Sequence, residues 1–336
     1  MPDIFAKIST TCTESVRFKS RRPRIKQLAP ALSFLPRREL VSLRGALVLG
    51  LAAQKIFLKV RSLVAKFGNF NCYNKVVKKR NMIAISIFVG FYVLFGIYLT
   101  LSQEKLIYYP TPQDFETCVS FSDAEKISYK GTRMYVDLNS DYVVVMYHGN
   151  AGSACHRDYL AREINKAGHG YIVVEYAGYS NDSLKPSHKR IRQDVKNVIE
   201  YLEKQDVSNI ILLGESIGVG VASYHASIKS PSRMILIAAF ASLKDLARRH
   251  FWYYPTFLMV NDVYDNVDLL KEYKGKIVML HGDKDSIIPQ ASSIKLKESL
   301  TTDNITYVSL SGLGHNDLFS SPETYQALQD ALTIKE

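Results

Sequence analysis

Asn209-Ile-Ile-Leu-Leu-Gly-Glu-Ser-Ile-Gly-Val-Gly-Val221 is an apolar run that breaks at glycine, presents one serine and resumes with helical spacing. It reads as strand, sharp turn, helix. Within it, Gly214-Glu215-Ser216-Ile217-Gly218 fits G-x-S-x-G, in which small flanking residues let the chain fold tightly enough to hold a serine on a strained turn. Ser216 would then carry its hydroxyl above the end of a sheet as a nucleophile. A serine hydroxyl is weak alone: it needs a histidine base, an acid to hold that histidine, and N–H donors for the developing oxyanion.

The strands around this stretch predict the scaffold. Apolar runs recur at 118–121, 133–138, 142–147, 171–176, 210–213, 234–238, 276–280 and 306–310, several of them continuous in Val, Ile and Leu. Such runs fit strands covered on both faces, and segments such as 189–203 and 292–300 between them have helical spacing. The expectation is a mostly parallel eight-stranded sheet with helices on both faces, entered through an antiparallel pair because no helix separates the first two runs.

Three strand ends supply the remaining chemistry. After the run ending at Tyr147 comes His148-Gly-Asn-Ala-Gly-Ser153, a turn whose N–H groups suit an oxyanion hole better than a phosphate, since neither phosphate-binding glycine pattern is present. The donors expected are the backbone N–H groups of Asn150, with Ala151 beside it, and of Ile217, while His148 packs at a strand end and orients the turn. His315 lies in Ser311-Gly-Leu-Gly-His-Asn-Asp317, between the last strand and the last helix, where flanking glycine lets it approach another loop. That context makes it the expected base; His188, His225 and His250 fall in helical segments and His169 in a helix-to-strand turn. For the acid, Lys276-Ile-Val-Met-Leu-His-Gly-Asp-Lys-Asp-Ser-Ile-Ile-Pro289 offers Asp283 and Asp285, and the H-G-x-x-D-x-x-[IV]-P frame favours Asp285. The order Ser216, Asp285, His315 is opposite to that of chymotrypsin-like enzymes.

Six motifs together resemble the membrane-anchored branch of the α/β-hydrolase superfamily, which includes lysophospholipid lipases and depalmitoylating thioesterases. They are Gln103-Glu-Lys-Leu-Ile-Tyr-Tyr-Pro110, His148-Gly-Asn-Ala-Gly152, Glu175-Tyr-Ala-Gly-Tyr-Ser180, Gly214-Glu-Ser-Ile-Gly218, His281-Gly-Asp-Lys-Asp285 and Gly314-His-Asn-Asp317. The resemblance runs from Gln103 to the C-terminus and implies the α/β-hydrolase fold, a Ser216–Asp285–His315 triad and oxyanion donors at Asn150 and Ile217. Two departures stand out: Gly178-Tyr-Ser180 replaces the usual Gly-Tyr-Gly, and Gly218-Val-Gly220 splits the Gly-Gly that often follows the nucleophile.

Charge divides the chain. The net +11 arises in residues 1–81, which hold 18 of the 43 Lys and Arg but 3 of the 32 Asp and Glu. The remainder is slightly acidic, so no nucleic-acid partner is expected. The basic leader reads as a poorly ordered arm, an organelle transit sequence or an untranslated upstream stretch, with Met82 directly before the next element. From Ile83 to Leu101 no residue is charged, and at ~1.5 Å per residue this length matches a hydrocarbon core of ~30 Å. With Lys78-Lys-Arg80 before it and no small-x-small cleavage site after it, a single-pass anchor is expected over 82–103, with the folded domain at 104–336 on the non-cytoplasmic side. Of four cysteines only Cys118 and Cys155 lie in that domain; they permit one bridge without requiring it, and two partly buried thiols are the expectation.

The functional expectation is a serine hydrolase cleaving carboxylic esters or thioesters of apolar acyl groups, small molecules or lipids, at a membrane and without metal or cofactor. A serine peptidase on the same fold and a non-catalytic binding protein on a hydrolase scaffold are the alternatives. The connection from Phe240 to Tyr273, with Phe251-Trp-Tyr-Tyr-Pro-Thr-Phe-Leu-Met-Val260, is read either as an aromatic wall over an acyl pocket or as a helix packed on the core.

Overall fold

The computed structural model describes residues 54–55, 58–59, 72–261 and 264–333. The chain divides after Asn71, and the second unit begins at Cys72. The expectation of a poorly ordered leader falls largely on residues outside the described ones. Within the second unit the first helix, α1, is Cys72–Leu101, starting well ahead of Met82 and carrying the uncharged run. It is followed by α2, Gln103–Ile107.

Eight strands form one sheet: β2 Glu125–Tyr129, β3 Thr132–Asp137, β4 Val143–Tyr147, β6 Gly170–Glu175, β7 Ile210–Glu215, β8 Arg233–Ile237, β9 Lys276–Gly282 and β10 Ile305–Leu310. Their order is β10-β9-β8-β7-β4-β6-β3-β2, and β1 (Tyr109–Pro110) and β5 (Ala151–Gly152) make a separate short parallel pair. Every residue of β4, β6 and β8 is buried, which is why these strands carry little polar alternation. All neighbours in the sheet pair in parallel except at β3, which is antiparallel to both β2 and β6. The β2–β3 hairpin closes through Lys130 and Gly131, at φ +51° and +84°, the two positive values that match the twist of paired strands.

Helices cover both faces of this sheet. They are α3 Asp158–Lys166, α4 His188–Lys204, α5 Gly218–Ile228, α6 Leu243–His250, α7 Thr256–Met259, α8 Asn266–Leu270, α9 Gln290–Ser299 and α10 Pro322–Leu332. Ser187 caps α4 by accepting from the Arg190 N–H, and Ser242 caps α6 by accepting from Asp245. Two apolar clusters result, one per face: Val145, Leu212 and Leu236 point into one, Val144, Leu213 and Ile235 into the other.

Two expectations are corrected by the fold. The run 118–121 is not a strand: Val119–Phe121 is a short 3-10 turn with Val119 83% exposed, while Phe121 stacks on Tyr135 at 4.3 Å under the sheet. The first strand is Glu125–Tyr129, an edge strand whose charged Glu125 and Lys126 hide it from an apolar search. Cys118 and Cys155 are not free thiols; they form a disulfide with Cα atoms 5.9 Å apart. Sequence separation gives no hint of such a pairing, whereas the packing of the 115–121 segment against the turn leading into α3 brings the two together.

Candidate active site

Strand β7 delivers Ser216 and α5 carries the chain away, with Ser216 itself at φ +55°. The turn is possible because of its glycines. A Cβ on Gly214 would lie 2.8 Å from the Gly218 oxygen, and one on Gly218 would lie 2.1 Å from the Tyr147 oxygen. The Ser216 N–H donates to the Ile237 carbonyl at 2.9 Å, which ties the strained residue to β8. The spaced glycines have a local reason too: Gly220 faces the Tyr264 ring, where a Cβ would sit 2.4 Å from Cγ, while Val219 fills the core.

The loop after β10 brings His315 to this elbow. Its Nε2 lies 3.1 Å from Ser216 Oγ, and its Nδ1 lies 2.6 Å from Asp285 Oδ2. With Nδ1–H donating to the carboxylate, Nε2 is left as the acceptor for the serine hydroxyl. Asp285 is held from behind: its Oδ1 accepts from the N–H groups of Ile287 and Ile288 at 2.9 and 2.8 Å. Burial alone would raise its pKa, but the hydrogen bonds of His281 and His315, with those N–H groups, hold it well below the usual carboxylate range. Asp283 faces elsewhere and accepts from the Gly312 N–H at 2.7 Å, so it braces the His315 loop instead of touching the imidazole.

On the other side of Ser216, the turn after β4 approaches, and Asn150, Ala151 and Ile217 line one cavity with Ser216 and His315. Asn150 is fixed through its side chain and its carbonyl: Oδ1 accepts from the Tyr109 N–H at 2.9 Å and the carbonyl from the Tyr179 hydroxyl at 3.1 Å. The motif 103–110 thus positions the turn after β4 through the β1–β5 pair. His148 is buried, stacks on Tyr176 at 4.1 Å and lies 3.3 Å from Glu175 Oε1, away from the serine. Ser180 holds the positive φ (+46°) that glycine would take easily, and its hydroxyl donates to Glu175 Oε2 at 2.5 Å.

Sequence reasoning missed two parts of this site. One is Arg157, which sits at the entry to α3 and pairs with Glu215, the residue before Ser216; a lone arginine in a polar stretch gives no signal for that pairing. The other is the cavity itself, about 450 Å³, whose apolar wall combines Leu243, Leu246, Phe251 and Tyr254 with Leu99 and Leu106. Within the connection 240–273, α6 and α7 flank the cavity, with Phe251 and Tyr254 in its wall, and α8 packs on α5.

No family model matches the chain. Among curated proteins it is 25% identical over 234 residues to an uncharacterized protein of Mycobacterium tuberculosis, covering 66% of this chain and 83% of that one. It is 24% identical over 257 residues to an uncharacterized membrane protein of Saccharomyces cerevisiae, covering 69% and 89%. It is also 25% identical over 195 residues to alpha/beta hydrolase domain-containing protein 17B of Homo sapiens, covering 54% and 62%. Among solved structures, an esterase of Pyrococcus furiosus superposes with a TM-score of 0.52 at 16% identity, over 67% of this chain and 97% of that one. The chain has the α/β-hydrolase fold and is similar in sequence to proteins named as alpha/beta hydrolases. On this fold the three side chains expected to form a triad come from the ends of β7, β9 and β10, and they meet at the C-terminal edge of the sheet.

Proposed function

We propose that this α/β-hydrolase is a serine hydrolase that cleaves carboxylic esters or thioesters of apolar acyl groups through an acyl-enzyme. The observation that carries the proposal is the hydrogen-bonded line from Asp285 through His315 to Ser216 at the floor of an apolar cavity. Ester cleavage is a chemistry that the same scaffold bears in the Pyrococcus furiosus neighbour, by its name.

In the proposed mechanism, His315 Nε2 takes the Ser216 proton as Oγ attacks the acyl carbonyl carbon. The carbonyl electron pair moves onto oxygen, where the N–H groups of Asn150 and Ile217 receive it. Collapse expels the alcohol or thiol, which leaves with the proton from His315. Water then loses a proton to the same nitrogen and attacks the acyl carbon; collapse breaks the bond to Ser216 Oγ, which takes the proton back from His315 as the acid leaves. Asp285 stays ionised throughout, holding the imidazole in the required tautomer and stabilising its charged form.

For localisation, the proposal is a single-pass protein with a basic leader over 1–81, an anchor over 82–103 and the catalytic domain 104–336 on the non-cytoplasmic side. The helix Lys78–Leu101 is long and apolar enough to cross a bilayer, with 6% of its most apolar window buried. The Cys118–Cys155 disulfide supports the orientation, because such bonds persist in oxidising compartments. A fluorophosphonate probe tests the chemistry: it should label the native protein and leave Ser216→Ala unlabelled. Native protein that resists the probe, or that cleaves peptides but no acyl ester or thioester, would count against the proposal.

A further inference from the structure

The apolar helix and the active-site cavity are one structure. Leu99, Thr100 and Gln103, at the end of α1 and the start of α2, line the same cavity as Ser216 and His315. The segment 251–260 packs along α1 above them. The Tyr92 and Tyr254 rings stack at 4.4 Å, the Tyr92 hydroxyl donates to the Tyr253 carbonyl at 2.6 Å, and the Tyr254 hydroxyl donates to the Tyr92 carbonyl at 3.0 Å. Gly96 makes room for this contact, since a Cβ there would lie 3.0 Å from the Tyr254 ring. Nearer the cavity, Gln103 donates to the Met259 carbonyl and accepts from the Asn261 N–H, both at 2.9 Å.

Depth follows from helix geometry. Lys78-Lys-Arg80 mark one boundary of the hydrocarbon, and at ~1.5 Å per residue a core of ~30 Å reaches from Arg80 to about Leu101. Tyr92 then lies roughly 14 Å inside the far boundary by the same rise. Were the membrane surface instead at Tyr92, only about 18 Å of helix would remain to span it, far too little. Whatever packs beside Tyr92 is therefore at membrane depth.

The segment that packs there is built for that solvent. Trp252, Tyr253, Phe257 and Leu258 are exposed, Trp252 at 78% and Phe257 at 71%. Much of its backbone is internally paired: Phe251 donates to Ala247, Tyr254 to Phe251, Thr256 to Tyr254, Leu258 to Pro255 and Val260 to Thr256, and Pro255 has no N–H to satisfy. Arg248, Arg249 and His250, all exposed, stand at the end of α6 directly before it, where a headgroup layer would lie. Exposed aromatics beyond a basic rim are the pattern of a monotopic insertion, here continuous with a spanning helix.

We propose that the segment Phe251–Met259 is immersed in the bilayer beside α1, and that the acyl chain of a bilayer-resident lipid ester enters the cavity laterally, between this segment and the end of α1, without crossing water. The entry route rests on the hydrolase reading; the immersion does not. Trp252 is the single tryptophan of the chain, so its fluorescence reports the position of the segment without labelling.

The test uses the full chain in vesicles of phosphatidylcholine with some phosphatidylserine. Phosphatidylcholine brominated on its acyl chains should quench Trp252 roughly twofold or more while acrylamide in the water does little, as for an indole at the membrane interface. Efficient acrylamide quenching without bromine quenching would overturn the immersion. Next, the variant Trp252→Ser/Phe257→Ser/Leu258→Ser, whose three side chains lie outside the catalytic cavity, should hydrolyse a short soluble ester as before. It should lose about tenfold or more on a lipid ester embedded in the vesicles, a loss equivalent to ~1.4 kcal/mol. Equal activities of variant and native protein on both substrates would overturn lateral entry, as would a parallel loss on both. A native protein with bromine-quenched Trp252 but no esterase activity would sink the hydrolase reading and leave the immersed segment standing.

Discussion

Arg157 Nε lies 2.6 Å from Glu215 Oε2, and a second guanidinium nitrogen lies 3.2 Å from Oε1, so the residue before Ser216 is clamped in a two-point ion pair. The pair also reaches the turn after β4, because Arg157 donates to the Ala151 carbonyl and the Gly149 N–H donates to Glu215. Burial alone would raise the Glu215 pKa; the charge and hydrogen bonds of Arg157 outweigh it and hold the carboxyl below its usual value. On the proposed mechanism Arg157 acts as a positioning residue. Arg157→Gln should lower kcat by up to ~100-fold with little change in KM, the cost of displacing donors that serve only the transition state. Arg157→Lys should recover part of it. A rise in KM at unchanged kcat would mean that Arg157 binds substrate instead.

The disulfide and two surface asparagines bear on the side of the membrane. Asn181-Asp-Ser183 and Asn304-Ile-Thr306 are glycosylation sequons, and both asparagines are exposed. Expressed in a eukaryotic cell, the protein should shift on treatment with an N-glycosidase, and the shift should vanish in Asn181→Gln/Asn304→Gln. Cys118→Ser/Cys155→Ser should lose roughly 4 kcal/mol of stability, the loop-closure value for a separation of 37 residues. Digestion of the catalytic domain by protease added to the cytosolic side of sealed vesicles would reverse the proposed topology.

Much of the fold could be read from the sequence because the central strands are buried on both faces and therefore run as unbroken Val, Ile and Leu, as in Val143–Tyr147 and Arg233–Ile237. The edge strand Glu125–Tyr129 could not, since an edge needs charge more than apolar continuity. In the site, Ser216, His315 and Asp285 were legible because each sits in a glycine-marked turn after a strand, and a turn of that kind constrains its neighbours in sequence. Arg157, the disulfide and the packing of Tyr254 on Tyr92 depend on which surfaces meet in space, and a sequence separation of 162 residues leaves no local trace of the last.

Three buried groups set the response to acid. Burial pushes His225 down to about 3 and, with the charge of Arg192, His188 down to about 4. Burial raises Asp194 to about 6, against hydrogen bonds from the Ala177 N–H and the Thr132 hydroxyl. Below pH 6.5 the unfolded chain protonates both histidines and the folded one does not, so stability falls as pH falls. Asp194 acts in the opposite sense: between its unfolded value of 3.8 and about 6 the folded state holds the extra proton. The balance near pH 5 is about one proton, so stability in detergent should drop by ~1.4 kcal/mol per pH unit there. Asp194→Asn should steepen the drop to roughly twice that slope. Stability that rises between pH 6 and 5 would contradict the neutral burial of both histidines.

The two aspartates after β9 give the sharpest test of the catalytic reading. Asp285 meets His315 at 2.6 Å and is fixed by two backbone N–H groups, whereas Asp283 holds the Gly312 N–H and never reaches the imidazole. Asp285→Asn replaces an acceptor by a group that can donate, which favours the wrong imidazole tautomer; kcat should fall on the order of 10⁴-fold. Asp283→Asn keeps an acceptor for Gly312 and should cost no more than about tenfold through slack in the loop. Ser216→Ala and His315→Ala should each remove on the order of 10⁴ to 10⁶ in kcat, and the double variant should be scarcely worse, because the residues act as a unit. Additive losses would mean that serine and histidine serve separate steps. A crippled Asp283→Asn beside an active Asp285→Asn would move the acid to the other carboxylate, and full turnover in Ser216→Ala would end the serine mechanism.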